Sequence, residues 1–556
     1  MHTTALFLFF FSIIFVIKGQ TDFEAQLDAF IANTYLPSAQ IPGLGIALLN
    51  DTQVFTKGYG FRNLSENAPV DENTLFCIGS VTKSVLATLT VKLLHEKHPE
   101  LGESVLEVPI ARLAPTFNFT LSDRYRAESV TFRDVLAHKL CLHQPDLSLL
   151  VGAVNSSSEF AYRLRYEPQV CPFRYSFVYR NAFFGFLGEA LGHVMDEKIE
   201  DLLKNFMEEI GMSNATLIAH DNSHLDAPNL SQGYYWRNGT SSPLNMKLLS
   251  RIAVAPGAGV ILATMKDMIK FLELHVEKGK VDGKQVIPEE AMSWLYTLSS
   301  VPAEFNGDKN QETDGVYGVY GYGLGFTLAL YDGWKTYQHG GFYPPYRSLI
   351  TIFPKKRVAV FSSSNQLEAN NAFPQSVVHS FIFETLRGNQ VNPSTTTAIL
   401  REPNAETIDQ SPILPLHVKP NNNHSFYAKQ RQQKDPAMIV GAYGSALEGD
   451  LLIEYDNITT QLSIHYGEWG HGILEPLNLN TTDSYVVHWE TDINQHFYAN
   501  GPVTPEFYVD FPNDETLNIR ISEGVIGTFL KYASLTRFPA IPWEEGSCGA
   551  DTKAHP

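Results

Sequence analysis

The chain has 556 residues, of which 44% are hydrophobic and 18% charged, so it has ample apolar material for packed cores and is not a disordered chain. At roughly 100 to 200 residues per domain, this length predicts two to four units, or one large catalytic domain with an appendage. The formal net charge of −19 repels phosphate backbones, so nucleic acid is not an expected partner.

The N-terminus predicts export from the cell. An apolar run extends from Ala5 to Ile17, interrupted by Ser12, and the sequence turns polar at Lys18. Because a helix needs about 20 apolar residues to cross a bilayer core, this run fits a signal peptide over residues 1–19 rather than a membrane anchor. The alternative is a buried N-terminal helix. We therefore expect a secreted, extracellular protein.

Glycosylation sequons are an independent sign of the secretory pathway, because Asn-x-Ser/Thr is modified only in chains that enter it. The sequence holds ten of them, and a few are expected by chance. They are Asn50, Asn63, Asn118, Asn155, Asn214, Asn229, Asn238, Asn423, Asn457 and Asn480. Residues 553–556 carry neither a retention signal nor a hydrophobic tail for a lipid anchor, in agreement with an extracellular location.

Four cysteines are too few for a disulfide-built scaffold, but they could form one or two bridges in an oxidising compartment. They are Cys77, Cys141, Cys171 and Cys548, and three full pairings are open. We expect a bridge between Cys141 and Cys171, since both fall in one stretch of helical pattern. For Cys77 a buried free thiol is the alternative.

The first part of the chain, residues 20–390, predicts an α/β domain. Two strand-like runs around an Asn50-Asp51 turn predict a hairpin over Gly43–Asn63. Apolar residues at helical spacing predict a buried central helix over residues 81–95, and helical patterns dominate from about residue 100 to 275. Further expected elements are strands at Gly323–Leu330, Ser348–Phe353 and Val358–Ser362 and a helix over Ser376–Leu386.

The composition changes after residue 390. Asn, Pro, Thr and Gln dominate residues 391–430, which is typical of a linker. Beyond it, short apolar runs between turn residues predict a small all-β domain over residues 431–540, followed by a tail over 541–556. The expected strands include Leu451–Ile453, Gln461–Ile464, Tyr485–Val487 and Glu506–Val509.

Ser80 and Lys83 are the first candidates for catalysis. They open the central helix, where positions i and i+3 share a face, so the lysine amine can reach the serine hydroxyl. A lysine of lowered pKa can take the serine proton, and a helix N-terminus offers N–H groups to a developing oxyanion. Roughly one or two Ser-x-x-Lys matches are expected by chance, but the chain has a single one, and it opens the most apolar helix.

Tyr179-Arg180-Asn181 is the second candidate motif. It precedes an apolar helical run over Ala182–Val194, which Asn181 could cap. Tyr-x-Asn is a weak signal, since it recurs at Tyr455 and Tyr498. A capping Asn beside an incidental Tyr is the alternative interpretation.

His339-Gly340-Gly341 is the third and most informative motif, because only about 0.1 chance matches are expected in a chain of this composition. Two adjacent glycines let an edge strand approach a substrate closely. The motif leads towards the strand expected at Ser348–Phe353. The alternative is a lone histidine in a turn.

In this order, the three motifs resemble the serine β-lactamase and penicillin-binding protein superfamily, specifically its class C β-lactamase and D,D-peptidase branch. The resemblance covers about residues 25–390. Supporting stretches are Val130–His138, Pro256–Val260 with Ala263-Thr264, and Tyr322–Phe326. It implies an antiparallel sheet flanked by helices, with a helical subdomain and the active site between them. The region from Val440 to Leu530 resembles the lipocalin-like β domain appended to many hydrolases of this branch.

The resemblance also implies a role for each site residue. Ser80 would be acylated, Lys83 would assist its deprotonation, and Tyr179 would carry the proton to the leaving group. The implied substrate-binding residues are Asn181, His339, Gly340, Gly341 and Phe342. The oxyanion would lie between the backbone N–H groups of Ser80 and Phe342. No metal, nucleotide or other cofactor is implied.

Departures from the family pattern concern the substrate. The third motif commonly begins with Lys, a permanent cation that holds a substrate carboxylate, whereas His339 is mostly neutral above a pKa of about 6.5. We therefore expect carboxylate-bearing substrates to react better below about pH 6.5. Leu140-Cys141 stands where relatives have a small Ser-Gly pair, and Tyr343–Tyr346 adds bulk after the third motif, which predicts a narrower pocket.

The sequence thus predicts a secreted serine hydrolase that cleaves an ester or amide bond, in a small molecule or a peptide, through an acyl-enzyme on Ser80. The competing hypothesis is a catalytically inactive, acidic extracellular glycoprotein with a structural or binding role, for example in a shell matrix, where animal relatives occur. The charge of −19 that suggests it is equally explained by solubility. The retained Ser80 and Lys83 favour the hydrolase.

Overall fold

An eight-stranded antiparallel sheet organises the first part of the chain. Its strands are β1 (Gly43–Asn50), β2 (Gln53–Asn63), β3 (Ala68–Pro69), β4 (Tyr317–Tyr322), β5 (Thr327–Tyr331), β6 (Trp334–Tyr343), β7 (Tyr346–Phe353) and β8 (Val358–Ser364). Across the sheet their order is β4-β5-β6-β7-β8-β1-β2-β3. The expected hairpin is confirmed as β1 and β2, and the later expected strands are confirmed as β5, β7 and β8.

The computed structural model describes most of the chain. The described residues are 22–142, 148–149, 151–302, 317–369, 375–389, 436–478, 481–490, 493–495, 506–521 and 524–531. The expected signal peptide over 1–19, linker over 391–430 and tail over 541–556 lie outside these ranges, as do Cys548, Asn423 and Asn480. Within the described ranges, no helix combines the length and apolar character needed to span a bilayer.

Strand β1 is buried from Gly43 to Leu49 because the sheet is covered on both faces. Leu44, Ile46 and Leu48 belong to a hydrophobic cluster on one face. Ala47 and Leu49 belong to the larger cluster on the other face. Successive side chains of a strand point to opposite faces, so a strand covered on both sides is apolar at nearly every position.

Helices supply this covering. The expected central helix is confirmed as α1 (Val81–Lys97), in which every residue from Val81 to Leu94 is buried. The other helices of ten or more residues are α2 (Asn181–Met195), α3 (Ile199–Glu209), α4 (Met265–Val276) and α5 (Gln375–Leu386), and α5 was also expected. Shorter helical segments lie at Ile31–Tyr35, Leu36–Ala39, Gly102–Glu107, Ile110–Leu113, Arg124–Ser129, Phe132–Leu136, Ser157–Arg163, Leu164–Tyr166, Ser223–Asp226, Met246–Val254, Pro256–Gly259, Glu289–Trp294, Pro354–Lys356 and Pro436–Ile439.

Short strands lie within and beside the region of about 100 to 275 that was expected to be helical. A three-stranded sheet contains Phe76–Cys77, Ile261–Ala263 and Thr216–Leu217. Two-stranded pairs join Tyr234–Arg237 to Thr240–Pro243 and Lys280–Val281 to Lys284–Gln285. Strands this short show no recognisable alternation of apolar and polar residues, so the sequence pattern did not indicate them.

The C-terminal part is a closed barrel of eight strands. They are β9 (Gly441–Ser445), β10 (Gly449–Asp456), β11 (Gln461–Tyr466), β12 (Gly470–Asn478), β13 (Thr481–Trp489), β14 (Phe507–Asp510), β15 (Thr516–Ile521) and β16 (Gly524–Lys531). Strands that are neighbours in sequence pair with each other, and β9 pairs with β16 to close the ring. The four expected strands are confirmed within β10, β11, β13 and β14. In β10, Leu451 and Ile453 are buried while Leu452 and Glu454 are exposed, as an inside–outside alternation requires.

The barrel docks on the first part of the chain through both backbone and side chains. Val151, from the first part, is fully buried within the barrel's hydrophobic cluster, and its carbonyl accepts a hydrogen bond from the Trp469 N–H at 2.9 Å. The Asn245 N–H donates to Gln495 Oε1 at 2.7 Å. The two parts therefore share a hydrophobic contact and hydrogen bonds across their boundary.

Cys141 and Cys171 form the expected disulfide, with their Cα atoms 5.1 Å apart. The structural reason for expecting it was wrong, because neither residue lies in a helix and Cys141 has a left-handed backbone with φ of 54°. Cys77 is a buried free thiol, and its burial raises its pKa to about 12.

Buried neutral histidines make the fold sensitive to acid. Burial lowers the pKa of His379 to about 3, whereas an unfolded histidine titrates near 6.5. Between these values the unfolded state binds a proton that the folded state excludes. The unfolding free energy therefore decreases as the pH is lowered, by up to about 1.4 kcal/mol per pH unit for each such histidine. We expect His379→Asn to flatten the dependence of the unfolding free energy on pH between 6.5 and 4, as measured by urea denaturation.

The control is His220→Asn, since His220 is exposed. This variant should retain the slope of the unmodified protein. If the unfolding free energy has the same dependence on pH in His379→Asn and in the unmodified protein, His379 takes up its proton equally in the folded and unfolded states.

Candidate active site

The N-terminus of α1 places Ser80 and Lys83 on one face, one turn apart. Ser80 is the residue before the first turn of the helix, and its side chain makes no capping hydrogen bond. Lys83 Nζ lies 2.9 Å from Ser80 Oγ. The serine hydroxyl is therefore directed at the amine rather than at the helix backbone.

Lys83 is fully buried, and its amine lies within hydrogen-bond distance of oxygens from three described residues. Besides Ser80 Oγ, these are Asn181 Oδ1 at 2.8 Å and the Ala258 carbonyl at 2.9 Å. An ammonium group can donate to all three. A neutral amine can donate to the amide and carbonyl oxygens and still accept the proton of the Ser80 hydroxyl. The same geometry thus accommodates both protonation states that a general base requires.

The aromatic ring of Tyr179 lies beside this amine. Its centroid is 5.0 Å from Lys83 Nζ, and its hydroxyl is buried without a hydrogen bond of standard geometry. Burial raises the pKa of Tyr179, and the Ser80 side chain opposes this with a smaller effect, as a neighbouring hydroxyl does. The structure therefore brings Ser80, Lys83 and Tyr179 together.

Asn181 belongs to the same group, but it does not cap α2. It is the first residue of α2, the capping position is Arg180, and the cap makes no side-chain hydrogen bond. The Asn181 side chain instead accepts the hydrogen bond from Lys83. The expected cap is therefore wrong, because its amide oxygen binds the buried amine.

The third motif lies on β6, opposite the N-terminus of α1. Strand β5 pairs with β6 only as far as Gln338, whereas β7 pairs with it through Tyr343. The strand is thus interior to the sheet along its first half, and the segment from His339 to Tyr343 pairs on one side only. The expectation of an edge strand holds for this segment and is wrong for the rest of β6.

Two glycines allow helix and strand to meet backbone to backbone. A Cβ atom on Gly341 would lie 2.1 Å from the Ile78 carbonyl oxygen. A Cβ atom on Gly79, which has a φ of 50°, would lie 2.7 Å from the Phe342 nitrogen. Any side chain at either position would separate α1 from β6.

This contact sets up an oxyanion site. The Phe342 nitrogen lies against Gly79, directly beside Ser80. The Ser80 N–H donates to no acceptor among the described residues. Two N–H groups near a nucleophile, one of them at a helix N-terminus, can stabilise the charge of a tetrahedral intermediate.

His339 is buried at the end of this cluster. Its Nδ1 is 2.6 Å from the Gly340 carbonyl oxygen and its Nε2 is 3.2 Å from the Tyr322 hydroxyl. Burial, with a smaller contribution from the positive Lys83, lowers the pKa of His339 to about 3. The expected change near pH 6.5 is therefore wrong, because the ring stays neutral far below that pH.

The bulky residues that depart from the family pattern are packed into the protein. Leu140 and Cys141 are fully buried. Tyr343 places its hydroxyl near the Leu249 carbonyl at 3.3 Å, and the Tyr346 hydroxyl donates to the Ser231 carbonyl. The two tyrosine side chains therefore fill the space between β6, β7 and the loops beside these strands.

Three residues around the site were not assigned a role from the sequence. They are His138, Ala258 and Tyr322, and each lies in a stretch that supports the family resemblance. The available signal was thus the resemblance of these stretches, which indicated relatedness without indicating a contact. Among the described residues, no group of three or more His, Cys, Asp or Glu side chains has the arrangement of a metal site.

Comparison with known proteins agrees with this geometry. The Beta-lactamase family model matches residues 21–376. The chain is 23% identical over 362 residues to unguisins hydrolase ungD from Aspergillus violaceofuscus, an alignment that spans 62% of this chain and 62% of the fungal protein, less than two thirds of its length.

Solved structures show the same fold. The octameric penicillin-binding protein homologue from Pyrococcus abyssi has a TM-score of 0.54 at 19% identity, and the match covers 91% of this chain and 99% of that one. The D-amino acid amidase from Ochrobactrum anthropi has a TM-score of 0.51 at 15% identity, over 66% of this chain and 99% of that one. Since the family match extends over more than half of the sequence and includes all three motifs, the chain belongs to the beta-lactamase family.

Proposed function

We propose that this protein is a serine hydrolase that cleaves an ester or amide bond through an acyl-enzyme on Ser80. The observation that carries the proposal is the 2.9 Å contact between Ser80 Oγ and the buried Lys83 Nζ at the N-terminus of α1. The hydrolase and amidase described among its relatives support a bond-cleaving role. The intact group of Ser80, Lys83 and Tyr179 favours an enzyme over an inactive acidic glycoprotein.

In the acylation step, Ser80 Oγ attacks the substrate carbonyl carbon and its proton passes to the neutral amine of Lys83. The carbonyl oxygen becomes an oxyanion that accepts hydrogen bonds from the N–H groups of Ser80 and Phe342. As the bond to the leaving group breaks, Tyr179 delivers a proton to the leaving oxygen or nitrogen and regains one from Lys83. The products are the leaving alcohol or amine and an ester on Ser80.

Deacylation reverses these roles. Water attacks the carbonyl carbon of the Ser80 ester, and its proton passes to the neutral amine of Lys83, either directly or through Tyr179, which gives its own proton to Lys83 as it receives one. The oxyanion forms again in the same place. When the tetrahedral intermediate collapses, Ser80 Oγ recovers its proton and the acid product leaves. Asn181 accepts a hydrogen bond from the amine of Lys83, and we propose that it also binds the amide of a substrate.

The neutral His339 points to the preferred substrate. A ring that is buried and uncharged offers no fixed cation for a carboxylate. We therefore propose substrates that present an uncharged group, able to accept or donate a hydrogen bond, at this position.

We further propose that the protein is secreted. Its disulfide supports an oxidising compartment. Of the eight sequon asparagines that the structure describes, six are exposed and two are half-buried, so their positions permit glycosylation. Eight strands paired in sequence order around a closed ring support a lipocalin-like identity for the C-terminal barrel.

A fluorophosphonate probe tests the nucleophile. We expect it to label the purified protein at Ser80, and we expect Ser80→Ala to abolish labelling. Lys83→Ala and Tyr179→Phe should slow the reaction by about 10²- to 10⁴-fold, as loss of a proton-transfer group does. Intact-mass spectrometry over a time course measures both effects.

Ser84→Ala is the matched control, because the Ser84 hydroxyl is buried on the same helix and donates to the Gly325 carbonyl at 2.7 Å. This variant should lose that hydrogen bond and keep the label. Equal labelling of Ser80→Ala and the unmodified protein would exclude Ser80 as the nucleophile. If no ester or acyl probe reacts at all, the inactive acidic glycoprotein becomes the better interpretation.

Gly341→Ala tests the oxyanion site. The new methyl group would force β6 away from Ile78 and shift the Phe342 N–H, so we expect kcat/KM for an activated ester to fall by about 10²-fold, similar to the loss of one oxyanion donor. Gly318→Ala is the control, since a Cβ there meets no atom within 4 Å. Comparable rates for the two variants would contradict the assignment of Phe342.

The neutral state of His339 makes a prediction about pH. Because the pKa of His339 is about 3, the ratio of kcat/KM for a carboxylate-bearing ester to that for its uncharged amide analogue should stay constant from pH 5 to 8. His339→Gln, which cannot titrate, should show the same constant ratio. If the ratio rises below pH 6.5 in the unmodified protein but not in His339→Gln, His339 becomes charged in that range.

A further inference from the structure

His138 is bonded to both sequence neighbours of Tyr179 and also contacts Tyr179 itself. The Val178 N–H donates to the His138 carbonyl at 2.8 Å, and the Arg180 N–H donates to His138 Nδ1 at 3.2 Å. The rings of His138 and Tyr179 lie with their centroids 4.4 Å apart, tilted by 34°. One fully buried residue thus holds three consecutive residues of the segment that carries the phenol.

The hydrogen bond to Arg180 fixes the chemical state of the imidazole. Because Nδ1 accepts a hydrogen bond from the Arg180 N–H, the ring hydrogen is on Nε2, and a protonated ring would place two N–H groups against each other. Burial lowers the pKa of His138 well below 6.5, and the nearby Lys83, His339 and Arg180 lower it further. His138 is therefore a neutral residue with a defined tautomer.

The backbone conformation of His138 also favours its contacts with the segment that carries Tyr179. Its φ of 55° is in the left-handed region, which is uncommon for a residue with a side chain. In this conformation its carbonyl and its imidazole both face the segment from Val178 to Arg180. A strained backbone of this kind persists only where surrounding contacts maintain it.

Further contacts join the residues that follow His138 to the residues that precede Tyr179. The Arg174 N–H donates to the Lys139 carbonyl at 3.1 Å, and the Val170 N–H donates to the Cys141 carbonyl at 2.9 Å. The disulfide between Cys141 and Cys171 lies at the same end. The segment that carries Tyr179 is thus held along its length, and His138 is the contact nearest to the phenol.

We propose that His138 is a positioning residue, which holds the Tyr179 hydroxyl in register with Ser80 and Lys83 through its backbone and imidazole contacts. This inference rests on the proposed hydrolase function, because it assigns to Tyr179 the proton transfer described above. His138 itself is too deeply buried to contact a substrate. Its effect on catalysis is therefore through Tyr179.

Two variants separate the contacts that His138 makes. His138→Asn keeps an acceptor for the Arg180 N–H and tolerates a left-handed backbone, but it removes the ring that contacts Tyr179. His138→Phe keeps a ring and removes the acceptor. His379→Asn is the matched control, since His379 is also a buried histidine with two hydrogen bonds, at 2.9 Å to Ser362 and 2.9 Å to Thr351.

The experiment measures kcat, KM and the thermal midpoint of each full-length variant, with an ester that the unmodified protein hydrolyses. In parallel, ¹⁹F NMR of a fluorotyrosine incorporated at position 179 reports the environment of the phenol without requiring turnover. We expect both His138 variants to lower kcat by about 10- to 100-fold, the effect of displacing a catalytic group by an ångström or less, with KM changed by less than about threefold. The ¹⁹F resonance should shift or broaden in both.

We expect the control His379→Asn to lower the thermal midpoint while keeping kcat and the ¹⁹F resonance. If both His138 variants keep kcat and the resonance, or lose activity only in proportion to folded protein, His138 does not position Tyr179. If the unmodified protein turns over no ester or amide, the proposed function fails, and the ¹⁹F resonance still decides whether His138 orders the phenol. The use of two variants guards against one that does not fold.

Discussion

The candidate site depends on one contact between two backbones. At Gly79 and Gly341 the N-terminus of α1 and the open segment of β6 approach so closely that a single methyl group would collide with the Ile78 carbonyl or the Phe342 nitrogen. Helix α1 is buried along fourteen consecutive residues, and β6 pairs with β7 from Tyr337 to Tyr343, so packing restrains both elements. The core of the domain therefore holds the backbone of Gly79 and Ser80 against that of Gly341 and Phe342.

Close to this contact lies one buried amine, that of Lys83. The hydrogen-bond partners of Lys83 include the amide oxygen of Asn181 and the carbonyl of Ala258, which orient the amine without adding a full negative charge. His138 and His339 are both kept neutral by burial, and the positive Lys83 reinforces this. Burial disfavours the charged form of an amine, and this is one condition under which a lysine can act as a base.

The sequence predicted those features that depend on local pattern. The β1–β2 hairpin, the buried helix α1 and four of the barrel strands follow from the spacing of apolar residues. Of the three described oxygens that accept hydrogen bonds from Lys83, two belong to residues of the three motifs and the third belongs to Ala258. Features that depend on distant contacts were not predictable in this way. The side chain of Asn181 satisfies the rule for a helix cap, yet it binds Lys83, because a buried amine 98 residues away requires an acceptor. The low pKa of His339 and the placement of His138 likewise arise from packing that no single segment encodes.

The boundary between the two parts of the chain has a consequence for dissecting the protein. Val151 is far from the barrel in sequence, yet its side chain is buried in the hydrophobic cluster of the barrel. Leu244 and Leu248 pack against Trp469 of the same barrel. Cutting the polypeptide before residue 436 would uncover these aliphatic side chains and leave Val151 without its neighbours. The first part of the chain is thus not a self-contained module, and its expression alone would expose an apolar surface that favours aggregation.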